Sequence, residues 1–312
     1  MSLTAVQQRT LEDLMGGGGV ERPVFAPDLS DRLRADLETR LEPVSAVLPD
    51  TEDLWITKAR LVELHTRCEG LYLSNALREG TFEFGLKLAI GNLVHRAIQV
   101  GVYRRHLTEA ELVETSLEQL CADDGFAEFC DQLSEADRAE LEGEGVRQTI
   151  LFRSLFPPFE KSWTPSVELP LSAELLGGRV VLRARPDICL GTTDPENPMR
   201  ARRLLLELKT GYDTPEHDED VRFYALVATL RFGVPPFRVA TVNLETGGWR
   251  MQEVTEELLT SAVRRVADGC VRAAALLAGA EPRLCPGAWC GWCPRSLVCP
   301  VSATRAKEAA AS

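Results

Sequence analysis

Two segments between Gly178 and Lys209 alternate apolar and charged residues, and this alternation constrains the fold more than any other feature of the chain. "VVLRARPDICLG" places Val180, Leu182, Ala184 and Ile188 on one parity and Arg183, Arg185 and Asp187 on the other. "LLLELK" sets Leu204, Leu206 and Leu208 against Glu207 and Lys209. Successive side chains of a strand point to opposite faces, so this period predicts strands over 178–190 and 202–209 with one apolar and one charged face. If they pair as a hairpin across the loop 191–201, Asp187, Glu207 and Lys209 project from one surface.

The remaining chain supplies helices around them. Pro27–Arg40, Trp55–Leu77, Phe84–His106 and Arg147–Phe156 carry helical spacing, and the segment between the last two reads as two or three short helices broken near Gly125 and Gly143. Ser166–Leu171 reads as a further strand. A helix from Thr214–Pro215 to Arg231 precedes a hairpin of 238–245 with 249–254, and Thr255 caps a long final helix. The order predicts a mixed α/β core with a helical N-terminal part. Residues 1–45, with "GGGG" at 16–19, read as a partly disordered extension, 46–300 as one domain and 301–312 as a flexible tail.

The formal charge of −12 argues against a general nucleic-acid binder, but its distribution matters. Leu107–Gly145 holds thirteen acids and one base, so the rest of the 312 residues is neutral. A neutral body still focuses positive field in a cleft. No apolar run is long enough to span a membrane, and no signal peptide is visible at the N-terminus, so a cytoplasmic location is expected. In that compartment nine cysteines do not suggest a disulfide scaffold.

Two carboxylates on one face repel unless a positive group lies between them. Asp187 and Glu207 therefore suggest a divalent cation, for which Mg²⁺ suits one or two carboxylates plus water and phosphate. Lys209 then lies beside the metal, placed to stabilise a hydroxide and developing phosphate charge. A solvated surface hairpin would also carry a Glu–Lys pair, although Asp187 on the matching face weakens that reading. In "IGNLVHRAIQV", His95 shares a helix face with Leu88, Gly91, Ile98 and Val102, so its ring points inward as a core histidine or a metal ligand.

Pro186–Asp187 followed by Glu207–Leu208–Lys209 resembles the defining motif of the PD-(D/E)XK nuclease superfamily. "GNLVH" resembles the histidine helix of its RecB-like branch, and "KTGYDTPEHDEDVRFYAL" the helix that ends in a tyrosine, here Tyr224. The likeness runs from about Cys68 to Cys299. It implies a restriction-endonuclease-like central mixed sheet flanked by helices and Mg²⁺- or Mn²⁺-dependent hydrolysis of DNA phosphodiesters. It further implies His95, Asp187, Glu207 and the Leu208 carbonyl as metal ligands, Lys209 as the group assisting water, and Tyr224 as positioning the lysine or contacting DNA. The family usually has glutamine where this chain has Asp220, which cannot supply an amide donor.

"LCPGAWCGWCPRSLVCP" holds Cys285, Cys290, Cys293 and Cys299. The C-x-x-C turn directs two thiolates at one centre, and four thiolates suit zinc or an iron–sulfur cluster. Proximity offers Cys285 as fourth ligand. The resemblance to iron–sulfur members, the CRISPR-associated exonuclease and AddB-type nucleases, implies Cys68 with Cys290, Cys293 and Cys299 around a [4Fe–4S] cluster that staples the chain ends. Cys121, Cys130, Cys189 and Cys270 read as small core residues. Trp289 and Trp292 read as shields for the cluster. Arg183 and Arg185 are equally suited to DNA phosphates and to neighbouring acids.

The expected function is a metal-dependent deoxyribonuclease acting on single-stranded or end-bearing DNA, with a helicase or a defence or repair system as a possible partner. The alternatives are a catalytically inactive nucleic-acid-binding or scaffold protein on the same fold, and a redox sensor using the cluster.

Overall fold

The structure, a computed structural model, describes residues 2–17, 19–49, 53–80, 84–212 and 214–302. Most of the tail expected at 301–312 lies outside them. Helix α1 (Ala5–Arg9) runs into a single π turn at Thr10–Leu14, and α2 (Leu29–Val47) follows. Next come β1 (Leu54–Ile56), α3 (Lys58–His65), α4 (Glu69–Ala76), α5 (Leu86–Tyr103), α6 (Glu109–Leu120), α7 (Asp124–Asp131) and α8 (Glu135–Leu155). The second half contains β2 (Ser166–Val167), β3 (Leu171–Leu175), β4 (Val180–Ala184), β5 (Ile188–Leu190), β6 (Leu204–Lys209), α9 (Glu216–Phe232), β7 (Arg238–Asn243), β8 (Gly248–Glu253) and α10 (Glu256–Leu277). Among the described residues no helix is long and apolar enough to cross a membrane.

Two mixed sheets flanked by helices form the core, the architecture that the resemblance implies. The larger has the order β2-β5-β6-β7-β8 and the smaller β1-β4-β3. Strands β6 and β7 run parallel and are joined across α9, as a parallel pair requires a crossover. Leu204, Leu206 and Leu208 pack with α5 and α8 through residues such as Leu93, Ala97 and Phe152. The opposite face, with Cys189, Leu205 and Val239, packs with α2, α9 and α10. Glu207 and Lys209 share this second parity, so the predicted split of LLLELK into two faces holds.

Three sequence expectations are corrected by local physics. The single helical stretch over Trp55–Leu77 is instead a strand and two helices. Thr57 starts α3 by accepting the Arg60 N–H at 3.4 Å, and extended Cys68 precedes α4. Gly143 does not interrupt α8. Nearby, a Cβ at Gly145 would lie 3.2 Å from Leu93 and Val113, so this glycine seats the helix closely against α5 and α6. Finally, the strand predicted over 178–190 breaks at Arg185–Asp187, and its two halves belong to different sheets.

That last break positions the site. β3 pairs with β4 and β2 with β5, both antiparallel, in one common register: Leu171 opposite Ala184, and Val167 opposite Ile188. The two chains cross together from one sheet to the other, and Glu168 stands opposite Asp187 at the seam. The Glu168 N–H donates to the Asp187 carbonyl at 3.0 Å, and Glu168 adopts φ +49°. Left-handed backbone in a non-glycine residue is uncommon and marks a constrained position.

Candidate active site

Asp187, at the mouth of β5, is 5 % exposed and both its oxygens are engaged. Oδ1 lies 2.9 Å from His95 Nδ1, and Oδ2 accepts the Leu208 N–H at 2.6 Å. The second contact docks Asp187 onto the edge of the ELK strand. His95 reaches the seam from the middle of α5. Burial alone would lower the pKa of its imidazole, but the adjacent Asp187 charge raises it above the usual range. Across the seam, burial and then Asp187 raise the Glu168 carboxyl. Gln99 donates to Glu168 Oε1 at 3.1 Å, and Arg185 lies 3.4 Å from Oε2. Ligand atoms of His95, Glu168 and Asp187 all fall within 4.8 Å of one another.

Glu207 lies opposite Asp187 by extension of the β5–β6 register, in which Ile188 faces Leu206. It is 3 % exposed and fully partnered. Oε1 accepts from Lys209 at 2.9 Å and from Lys58, while the Tyr224 hydroxyl donates to Oε2 at 2.9 Å. Lys209 also reaches Asp220 Oδ2 at 2.8 Å. Burial would raise the Glu207 carboxyl, yet the charges of Lys58 and Lys209 hold it down to about 2. Burial would lower the Lys209 ammonium, but Glu207 and Asp220 push it above its ordinary value. Lys209 is therefore a cation near neutral pH. It is suited to stabilising developing negative charge, not to accepting a proton. Tyr224 is held well above its usual pKa, by burial first and then by Glu207, and remains a donor.

A hard divalent cation takes oxygen donors, and imidazole is a common additional ligand. His95, Asp187 and Glu168 supply that donor set at one point, with Glu207 on the adjoining strand. Two like carboxylates facing each other across the seam are the arrangement that such a charge relieves.

The family model of the PD-(D/E)XK nuclease superfamily matches residues 62–300, more than half of the chain. The chain belongs to this superfamily. No curated protein matches it in sequence. The crystal structure of SSO0001 is a distant likeness at 14 % identity, covering 75 % of this chain and 93 % of that one, with a TM-score of 0.30.

Within the superfamily frame, the structure gathers His95, Asp187, Glu207, Lys209 and Tyr224 around one seam, with Leu208 linked through its N–H. Asp220, where the family usually has glutamine, holds Lys209 by an ion pair. Two residues escaped the sequence analysis. Glu168 carried no signal beyond a lone acid between Val167 and the Leu169–Pro170 pair. Lys58 lay in a stretch that reads as continuous helix. Of the two ambiguous arginines, Arg183 stacks over Trp55 at 3.7 Å from the ring centroid, and Arg185 extends over Glu168.

The cysteine segment returns to the N-terminal half of the superfamily domain. Cys68, Cys285, Cys290, Cys293 and Cys299 line one cavity of about 190 Å³ with Trp289. The Cys293 thiol is raised, by burial first, and Cys68, Cys290 and Cys299 contribute in the same direction. Cys285 is exposed, and its N–H points at Cys68 Sγ at 3.4 Å. Trp292 is exposed, whereas Trp289 closes the cavity wall. Among the described residues no three cysteine sulfurs lie within 4.8 Å of one another. A zinc ion with bonds of about 2.3 Å would draw all its sulfurs within ~4 Å.

Proposed function

We propose that the chain is a divalent-metal-dependent deoxyribonuclease of the RecB-like branch, hydrolysing phosphodiester bonds in single-stranded or end-bearing DNA. The observation that carries this reading is the convergence of Asp187, Glu207, Lys209 and His95 on the seam between the two sheets. His95, Asp187 and Glu168, with Glu207 and the Leu208 carbonyl, would hold Mg²⁺ or Mn²⁺. Such an ion, when bound, supplies Lewis acidity and a more acidic water. The chain contributes the rest. Lys209, fixed between Glu207 and Asp220, presents a permanent positive charge to the attacking oxygen and to the phosphate as charge builds. Tyr224 fixes the Glu207 carboxylate from its other side. Leu208 fixes Asp187.

The test is cleavage of a plasmid and of a single-stranded oligonucleotide with Mn²⁺. Lys209→Ala is expected to slow turnover about 10²–10³-fold, in keeping with loss of one preorganised stabilising group. Chelation is expected to stop it. Equal rates for the two proteins would reject the mechanism and favour the rival reading, a DNA-binding scaffold on the same fold.

We also propose a [4Fe–4S] cluster on Cys68, Cys290, Cys293 and Cys299. The support is the cavity that these four cysteines line together with Trp289, and the influence of Cys68, Cys290 and Cys299 on the Cys293 thiol. Anaerobically purified protein is expected to be brown and to contain iron and sulfide. Cys68→Ser should lose both, and Cys285→Ser should keep them. The opposite outcome for these two variants would make Cys285 the ligand, and zinc without iron would remove the cluster.

A further inference from the structure

Lys58 is not explained by the helix that it begins. It is the first residue of α3, where the exposed N–H groups create positive potential and an ammonium is disfavoured. Its Nζ is turned away to Glu207 Oε1, the oxygen that Lys209 also uses, and lies 5.1 Å from the centre of the Tyr224 ring. Two ammonium groups thus share one carboxylate oxygen. The local charge balance gives the reason. Glu207 and Asp220 are both at least nine-tenths buried; Asp187 faces His95, and Lys209 alone cannot offset the other two carboxylates.

Glu207 stands opposite Asp187 in the hairpin, yet it is absent from the tight cluster of His95, Glu168 and Asp187. Its oxygens are committed to Lys58, Lys209 and Tyr224. Of these partners Lys58 is the most free to leave. Its side chain is 29 % exposed against 17 % for Lys209, and Lys209 is also held by Asp220.

We infer that Lys58 is a tethered counter-ion that competes with the divalent cation for Glu207 and so sets the metal concentration at which the site fills. The inference rests on the reading of this site as a metal-dependent nuclease. Lys58 acts through Glu207 and is a positioning residue. A cation entering between Asp187 and Glu207 replaces the charge that Lys58 supplies, and the lysine swings out along its exposed side. A charge-assisted hydrogen bond must be given up for this exchange, so removing the competitor tightens metal binding.

The experiment is a Mn²⁺ titration of the full chain without DNA, after removal of metal, following free Mn²⁺ by electron paramagnetic resonance. Lys58→Met is expected to bind one Mn²⁺ about tenfold more tightly than the unaltered chain, the loss of roughly one charge-assisted bond. Lys58→Arg, which keeps the charge, should retain the original affinity. Lys58→Gln carries the same expectation as methionine if that variant fails to fold. An unchanged or weaker Kd in the neutral variants, with Mn²⁺ bound and DNA cut by the unaltered chain, overturns the role of Lys58 alone. Absence of Mn²⁺ binding in every protein, with no cleavage, overturns the nuclease reading as well.

Discussion

Asp187→Asn is expected to reduce Mn²⁺-dependent cleavage by about 10³-fold or more and to weaken Mn²⁺ binding by about 10²-fold, while the protein stays folded. The size follows from the two contacts that Asp187 makes at once. One oxygen faces His95 and the other holds the Leu208 N–H. An amide retains one acceptor, but it must present an NH₂ to either the imidazole or the Leu208 N–H. It also removes the charge that, with Glu168, makes the seam attractive to a cation. The apolar layers on both sides of the sheet are untouched, so the change in melting temperature should be a few degrees at most. Turnover at saturating Mn²⁺, measured beside the Mn²⁺ titration, checks both parts. Full activity in a folded Asp187→Asn protein would place the chemistry elsewhere.

The second large effect concerns stability. Glu69, the residue after Cys68, is 2 % exposed. It accepts from Arg272 Nε at 2.8 Å and Nη2 at 2.5 Å, and from the Arg283 N–H at 2.6 Å and Nε at 2.8 Å. Through it, α10 and the segment leading into the C-terminal cysteines are tied to the start of α4. Burial opposes ionisation, but the hydrogen bonds from Arg272 and Arg283 prevail and hold the carboxyl down to about 2 from 4.5. A depressed pKa stabilises the fold above the unfolded value and ceases to do so below the folded one. The contribution is therefore complete above about pH 4.5 and disappears as the pH falls through about 2. Arg283 is largely exposed, so solvent screening reduces the value to about 2–3 kcal/mol. Glu69→Gln is expected to lower the melting temperature by roughly 3–5 °C at pH 7. The gap to the unaltered chain should narrow progressively in acid. A gap that is constant from pH 7 to pH 2.5 would show that the carboxylate charge is not what holds the segment.

The active-site strand was legible because its information is local. Leu204, Leu206 and Leu208 against Glu207 and Lys209 is a period-two pattern, and a strand buried on both sides can turn a charged parity inward only where partners await it. His95 was legible for the same reason, since three- and four-residue spacing fixes which side of α5 it occupies. The helix 216–232 was likewise marked at both ends, by Pro215 and by Gly233 in its left-handed conformation.

Glu168 and Lys58 were not legible. Glu168 matters because two strands leave one sheet together and keep their register, which places it opposite Asp187. That pairing depends on residues far apart in the chain, and no periodicity within 166–171 reports it. Lys58 lies in a stretch whose helical pattern hides the strand Leu54–Ile56 and the Thr57 cap, and its partner Glu207 is 149 residues away. The sequence by itself determined which residue types face inward along each element, because side-chain direction follows from backbone period. Only the tertiary structure decided which carboxylates meet and which cations they hold, because electrostatic energy depends on distances through space that chain spacing does not specify.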